Sequence, residues 1–355
     1  GQLLGVIAHE TGHIAGGHLV RGADAMESAF LSSLIGMGIG VIGGIAAKNA
    51  GAGAAGLMLG QHLAERNFLS FSRSQESSAD QAGLSYMEQS GISARGMETF
   101  LEKLGAADDP LLNDPDAGYR RTHPLTRERI ESVHNFVSHS RYANKPIPPQ
   151  WNEEFRRIQA KLYAYLDPAG ALRRYRAEDP SFVARYGRAY AYFRRGEVKQ
   201  AQPLVDGLIA QEPKNAFLYE MKGDLMLQNG RAFDAASPYR KAIELQPDAT
   251  SIRVSLAHAL LEQNDPKLAD EALKNLQIAA KSQQGQSAFL WRLTAQAWSM
   301  KGNNGMVAYA TAEEAFARGD KPMARAPAER AEKLLPAGSP GWLRAQDIRG
   351  QAGGK

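Results

Sequence analysis

The sequence predicts a mainly α protein, in which a helical N-terminal domain is followed by an α-solenoid of short repeats. Apolar residues recur at helical spacing along most of the chain, and no convincing strand follows residue 150. The proline-rich segment NKPIPPQ, at 144–150, indicates a boundary. Residues 1–140 hold ten Lys and Arg against 15 Asp and Glu, whereas the remainder holds 32 against 23. We expect a domain over 1–140, a connecting segment over 141–180 and a repeat array over 181–350.

Four stretches of the first half have the helical pattern, and they lie at 2–20, 65–90, 93–105 and 124–140. The segment GAADDPLLNDPDAGYRRTHP separates the last two stretches. It is rich in Pro, Asp and Gly, which indicates a loop.

An uncharged stretch follows the first helix. Residues 28–47 contain no charged residue and are long enough to cross a bilayer, and residues 49–64 are also uncharged and rich in Gly and Ala. Three interpretations stay open: a membrane hairpin, a segment that packs over the first helix, or a glycine-rich lid that touches the membrane surface. The second part is short and only moderately apolar, which favours the last two interpretations over the hairpin.

The second half has an internal period of 34 residues. The repeated positions are Ala189, Gly196, Ala201 and Pro213, then Gly223, Gly230, Ala235 and Pro247, then more weakly Ala257, Asn264, Ala269 and Lys281, with the same offsets at Ala312, Gly319, Ala324 and Pro336. Small residues let the two helices of a hairpin approach closely, Gly or Asn ends the first helix, and Pro follows the second. This pattern at this period is the tetratricopeptide signature. Because one hairpin cannot bury its apolar face alone, we expect a curved stack.

Composition excludes several kinds of site. The chain has no cysteine, which excludes disulfides, thiolate zinc sites and cysteine nucleophiles. No motif for reading nucleic acid is present, so we expect no nucleic-acid partner.

The chain begins at Gly1 without a signal peptide. We therefore expect a piece of a longer protein whose N-terminal part, with any export signal, is missing.

A histidine pair in the first helix predicts a metal site. The segment GVIAHETGHIAGGH, at 5–18, places His9 and His13 four residues apart, so both rings leave one helical face with Glu10 beside them. In this H-E-x-x-H pattern, two imidazoles bind Zn²⁺ and the carboxylate reaches the water at the metal. His18 follows His13 by about 140° around a continuous helix. We therefore expect it to point elsewhere and not to be a ligand.

A third ligand must come from further along the chain. The segment SRSQESSAD, at 72–80, places Glu76 and Asp80 four residues apart on one helical face. Glu76 can complete the ligand set, and Asp80 can accept a hydrogen bond from the free ring nitrogen of a ligand histidine. Taken alone, this pair would be an ordinary solvated face. Its combination with H-E-x-x-H favours the metal site.

These motifs resemble metallopeptidase family forty-eight, which includes the HtpX-like and CAAX-prenyl-protease-like enzymes. H-E-T-G-H at 9–13 and E-S-S-A-D at 76–80 are similar to its H-E-x-x-H and E-x-x-x-D pattern, and THPLTRER at 122–129 resembles its His-Pro and Arg segment. With the repeat array attached, the chain resembles the BepA-type periplasmic proteases of Gram-negative bacteria. The resemblance implies a helical, zincin-like metalloprotease domain. Any edge strands are expected to be lost with the missing N-terminal part.

The same resemblance implies roles for single residues. The implied ligands of one zinc ion are His9, His13 and Glu76. Glu10 is the implied general base, and Asp80 supports a ligand histidine from behind. His123 can occupy the fourth coordination position and hold the enzyme latent, and Arg129 is a candidate for stabilising the oxyanion.

The function implied is a zinc metalloendopeptidase in the periplasm, acting in quality control and assembly of outer-membrane proteins. Its substrates would be unfolded or misassembled outer-membrane proteins. The array would bind these clients and the β-barrel assembly machinery, and residues 28–64 would contact the membrane peripherally. Two alternatives stay open. One is a tetratricopeptide chaperone or scaffold whose metal site is latent or structural, and the other is an HtpX-like integral membrane protease.

Overall fold

The computed structural model describes residues 1–18, 72–106, 123–282 and 287–352 of the 355-residue chain. Within these ranges the regular elements are helices and no strand occurs, which confirms the mainly α class. The backbone divides into two compact units, Gly1–Asn152 and Glu153–Lys355. Residues 28–64 and most of the predicted loop before His123 lie outside the described residues. Among the described helices, none combines the length and the hydropathy needed to span a membrane.

The first unit holds four described helices and the start of a fifth. They are α1 (Gln2–Ala15), α2 (residues 72–89), α3 (Arg95–Ala106), α4 (Arg127–His139) and α5 (Pro149–Leu166), which continues into the second unit. The pattern at 2–20 predicted a longer first helix than the structure has. Gly16 caps α1, and Gly17 then adopts a left-handed φ of 63° that ends it.

Glycines bring α1 close to α2 and α3. The buried face of α1 includes Gly5, His9 and Gly12, which recur at helical spacing. A Cβ atom on Gly12 would lie only 2.5 Å from the carbonyl oxygen of Ala79 in α2, and one on Gly5 only 2.7 Å from Cα of Met97 in α3. Both positions therefore need glycine. The close approach carries His9 to the surface of α2.

An apolar core includes residues of α2, α3 and α4. Among its members are Leu84 and Met87 of α2, Met97 and Leu101 of α3, and Val133 and Val137 of α4, all buried. Thr126 caps α4 by accepting a hydrogen bond at Oγ1 from the backbone amide of Arg129, at 3.4 Å. The cap fixes the start of α4, and with it the short segment from His123 that precedes the helix.

The second unit is a succession of helices, most of which pack against the next one along the chain. After α5 they are α6 (Pro168–Arg174), α7 (Phe182–Arg194), α8 (Val198–Gln211), α9 (Ala216–Gln228), α10 (Ala232–Leu245), α11 (Thr250–Leu261), α12 (Ala269–Ala280), α13 (Ala288–Met300), α14 (Asn304–Ala317), α15 (Lys321–Leu334) and α16 (Pro340–Ala352). This confirms the helical repeat region. Its assignment to the tetratricopeptide class stays a prediction.

The positions that repeat in the sequence lie at the tight turns between helices. These turn residues have left-handed φ angles from 53° to 76°, and they are Gly196, Gly230, Asn264 and Gly319. Glycine adopts this conformation without steric cost, and asparagine tolerates it better than most residues. The repeated alanines after the turns are fully buried, and they are Ala201, Ala235, Ala269 and Ala324. The 34-residue period therefore reports turn geometry and close helix packing.

Gly223→Ala should destabilise the second unit by about 1–3 kcal/mol, the usual cost of overpacking. A Cβ atom there would lie 2.6 Å from the ring of Tyr239, which is fully buried and donates a hydrogen bond to Asp224 at 2.6 Å. The matched control is Gly207→Ala in α8, where the nearest atom is 3.8 Å away on Arg185. Since alanine favours a helix over glycine, we expect no loss for the control. Urea unfolding measures both, and equal losses would contradict the packing argument.

Candidate metal centre

Three segments of the first unit place four potential metal ligands together. Helix α1 supplies His9 and His13, α2 supplies Glu76, and the segment before α4 supplies His123. One ligand-type atom from each side chain lies within 4.8 Å of all the others. His9 and Glu76 are buried, whereas His13 and His123 are partly exposed. The structure therefore brings together the four residues that the sequence proposed as ligands.

The distances between these atoms suit an ion with tetrahedral coordination. His9 Nε2 lies 3.0 Å from His13 Nε2, 3.4 Å from Glu76 Oε2 and 3.5 Å from His123 Nδ1. Glu76 Oε1 lies 3.2 Å from His13 Nε2 and 3.1 Å from His123 Nδ1. With bonds of about 2.0–2.1 Å, tetrahedral ligand atoms stand roughly 3.3–3.4 Å apart. Three imidazole nitrogens and one carboxylate are also ligands that zinc accepts, so the residues present fit this ion.

Asp80 holds the outer nitrogen of His9. Nδ1 of His9 donates a hydrogen bond to Asp80 Oδ1 at 2.8 Å, and this contact directs Nε2 toward the other ligands. Burial lowers the pKa of His9, but its bonds to Asp80 and Glu76 outweigh burial and raise the pKa to about 9. Without a metal, the His9 ring is therefore protonated on both nitrogens, and positively charged, near neutral pH.

His18 lies against the outer nitrogen of His13, at 2.9 Å between the two Nδ1 atoms. The expectation that His18 points away from His13 was wrong, because it assumed a continuous helix, and the left-handed Gly17 turns the chain back. The paired glycines before His18 were the sequence signal for this turn. Burial lowers the pKa of His13, as do the neighbouring His9 and His123, which leaves a neutral ring suited to be a ligand.

Arg129 lies behind the carboxylates, where it is buried. Its Nε and Nη2 atoms donate to Asp80 at 2.6 and 2.9 Å, and Nη1 lies 2.8 Å from Glu76 Oε2 and 2.9 Å from the carbonyl oxygen of Pro124. The guanidinium thus binds protein acceptors, and its expected role at the oxyanion stays a prediction. Burial raises the pKa of both carboxyls, but the histidines and Arg129 hold each pKa below its usual range.

Glu10 lies at the accessible side of the cluster. Its side chain is 42% exposed, and its Oε1 lies 3.8 Å from Nε2 of His123. Glu10 is not one of the four residues whose ligand-type atoms converge. A carboxylate that solvent can reach beside such a group is placed to exchange a proton with water.

Binding of zinc should release about one proton per ion at pH 7, because a metal ligand must be deprotonated. The proton comes from His9, whose pKa of about 9 keeps the metal-free ring protonated at that pH. We expect the release to fall as the pH rises through about 9, and the zinc affinity to increase up to that pH. Calorimetric titrations in buffers with different ionisation enthalpies measure the release. An absence of proton release at pH 7 would contradict the assignment.

Comparison with known proteins finds a family whose description matches most of the first unit. Residues 1–137 match Peptidase family M48, and this confirms the resemblance seen in the sequence motifs. The match covers the four converging residues, together with Glu10, Asp80 and Arg129.

Several relatives extend the likeness over the second unit. The β-barrel assembly-enhancing protease of Escherichia coli K12 is 26% identical over 327 residues, which cover 88% of this chain and 63% of the relative. The protease of the same name from Yersinia pestis is 24% identical over 319 residues, or 85% of this chain and 61% of the relative. Metalloprotease LoiP of E. coli K12 is 29% identical over 138 residues, or 39% of this chain and 50% of LoiP. The chain spans less than two thirds of the length of these relatives.

Proposed function

We propose that this chain, whose residues 1–137 match Peptidase family M48, is a zinc metalloendopeptidase that cleaves unfolded or misassembled polypeptides. The convergence of His9, His13, Glu76 and His123 within 4.8 Å carries the proposal. Zinc, when held by the first three residues, would supply a Lewis acid that polarises a peptide carbonyl and makes water more acidic.

The residues around the ligands supply proton transfer and positioning. The Glu10 carboxylate accepts a proton from the attacking water and delivers it to the nitrogen of the leaving amine. Asp80 fixes the ring of His9 through Nδ1, and Arg129 keeps Glu76 and Asp80 ionised and in place. His18 gives the same kind of support to His13 from the other side.

His123 is proposed as a latch on this site. Its Nδ1 lies 3.1 Å from Glu76 and its Nε2 lies 3.8 Å from Glu10, so the ring reaches both the ligand group and the proposed base. With His123 as a fourth protein ligand the site would be closed, as structural zinc sites are. This contact supports a latent enzyme that opens when His123 moves away. It also favours a second candidate function, a scaffold whose metal is structural.

The names of the relatives suggest the biological setting. Two of them are β-barrel assembly-enhancing proteases of Gram-negative bacteria. We extend the proposal to outer-membrane proteins as the clients and to the periplasm as the compartment. The helical array, proposed to consist of tetratricopeptide repeats, would bind those clients and the β-barrel assembly machinery. Peripheral membrane contact through residues 28–64 is part of the same proposal.

His123→Ala should separate the two candidate functions. If His123 leaves the site open for less than a tenth of the time, the variant without it should raise the initial rate of casein cleavage at least about tenfold. Elemental analysis should still find one zinc ion per chain. The control is His139→Ala at the exposed end of α4, which should change neither quantity. If zinc is bound but neither the unaltered chain nor His123→Ala cleaves any polypeptide, the peptidase proposal fails and the scaffold is favoured.

A further inference from the structure

The second unit contains a groove to which no role has yet been assigned. It has a volume of about 570 Å³ and lies between α5, α7 and the first turn of α9. The side chains that define this α5 groove are Ile158, Lys161, Phe182, Tyr186, Phe217 and Leu218. Its volume falls within the roughly 300–1,000 Å³ of ordinary ligand sites.

The α5 groove has an apolar floor and an exposed apolar rim. Phe182 and Leu218 are buried, whereas Ile158 is 53% exposed and Phe217 is 55% exposed. When a ligand covers large apolar side chains that were open to water, the free energy of the system falls. Three of the lining residues are aromatic, and aromatic rings pair favourably with one another. The lining therefore suits an aromatic or large aliphatic side chain.

The charges around the groove are of both signs. Arg157 stacks over the ring of Phe182 at 3.7 Å and pairs with Glu212 at 2.8 Å, so it is held in place before any ligand arrives. Lys161 and Glu154 add one positive and one negative charge to the lining. This balance complements an uncharged partner rather than a strongly charged one. The carbonyl groups of an extended backbone can accept hydrogen bonds from Lys161, and its amide groups can donate to Glu154.

We propose that the α5 groove binds an extended segment of an unfolded polypeptide, anchored by one aromatic or large aliphatic side chain. The inference rests on the proposed function, because it names the place and the chemistry by which the array would hold a client. The fixed position of Arg157 lowers the ordering cost of binding. Recognition through one apolar anchor and the backbone would accept many sequences, as the recruitment of diverse unfolded chains requires.

Phe217→Ser should weaken peptide binding at least about tenfold, as for a well-buried anchor contact. The probe is a fluorescently labelled, unstructured, uncharged peptide with one central phenylalanine, and fluorescence anisotropy measures its Kd. The full chain is used with Glu10→Gln as background, so that the peptide is not cleaved. A second peptide with serine in place of phenylalanine should bind the unaltered groove with a similar loss. Combining Phe217→Ser with the serine peptide should add little further loss, because both changes remove one contact.

Phe233→Ser is the matched control. Phe233 is the second residue of α10, as Phe217 is the second residue of α9, and it is 80% exposed outside the groove. We expect its Kd to be unchanged. Equal binding by Phe217→Ser and the parent chain, or equal losses in both variants, would overturn the proposal. The proposal would also be overturned if the phenylalanine and serine peptides bound with the same Kd and only added salt weakened the binding. If the groove binds the peptide but the chain with Glu10 intact never cleaves casein, the peptidase function is overturned and the groove stays assigned. Cleavage of casein by that chain without peptide binding by the groove would do the reverse.

Discussion

Replacing Glu10 with glutamine should lower kcat for casein cleavage by about 100- to 10,000-fold, the usual contribution of a general base. Glutamine keeps the size of the side chain but cannot accept the proton of water. Zinc content should stay at one ion per chain, because Glu10 is outside the group of converging ligand atoms. Initial-rate kinetics and elemental analysis of the same preparation test both expectations.

The matched control for Glu10→Gln is Glu102→Gln, which removes the same charge from an exposed position on α3. It should alter neither kcat nor zinc content. Undiminished cleavage by Glu10→Gln would show that the proton goes to another group. Loss of zinc together with cleavage would show that Glu10 supports the ligand set, and the proposed division of roles would then be wrong.

The positions of the helices could be predicted from the sequence more easily than their ends. Apolar spacing marks the face of a helix that is buried, but the end of a helix depends on the conformation of one or two residues. The pattern at 2–20 continues through Gly16 and Gly17, yet α1 ends at Ala15 because Gly17 adopts a left-handed φ. In the array, by contrast, Gly and Asn recur at one fixed offset, and there the sequence identified the turns.

The approach of Glu76 to His9 and His13 could be predicted because each of the two motifs places a pair of side chains one helical turn apart, whereas His123 was expected only from the family resemblance. His9 and His13 share a face of α1, and Glu76 shares a face of α2 with Asp80. The contact between His18 and His13 could not be predicted by the same argument, since angles around a helix lose their meaning where the helix ends. The roles of the site residues as ligands, general base and support remain proposals, and the variants described above test them.

The place of Arg129 could not be predicted from spacing at all. The sequence shows a cation near the start of a helix, but it does not show which acceptors face that cation. In the structure Arg129 is the arginine whose guanidinium contacts both buried carboxylates, Glu76 and Asp80. Two buried carboxylates in one place are costly unless cations and hydrogen bonds compensate their charge. Arg129 is therefore placed to support the fold and the two carboxylates.

Arg129→Met should destabilise the metal-free first unit by about 3–5 kcal/mol, the cost of breaking a buried ion pair by removing one partner. Methionine replaces much of the apolar stem but leaves Glu76 and Asp80 without the guanidinium, so His9 becomes their main cationic partner. Native-state hydrogen exchange of the α1 and α2 amides, in the presence of a chelator, measures the loss locally. Bound zinc should restore part of it, because the ion returns positive charge to Glu76.

Arg141→Met is the control, because it removes a cation of the same unit from an exposed pair. The Arg141 side chain is 75% exposed and lies 3.6 Å from Glu88, so its loss should cost less than about 1 kcal/mol. The comparison also distinguishes the two roles considered for Arg129. An oxyanion donor would lower kcat when replaced and leave the protection of α1 and α2 intact. A positioning residue instead loses protection first and weakens zinc binding with it, because Glu76 then lacks the guanidinium that holds it in the ligand geometry.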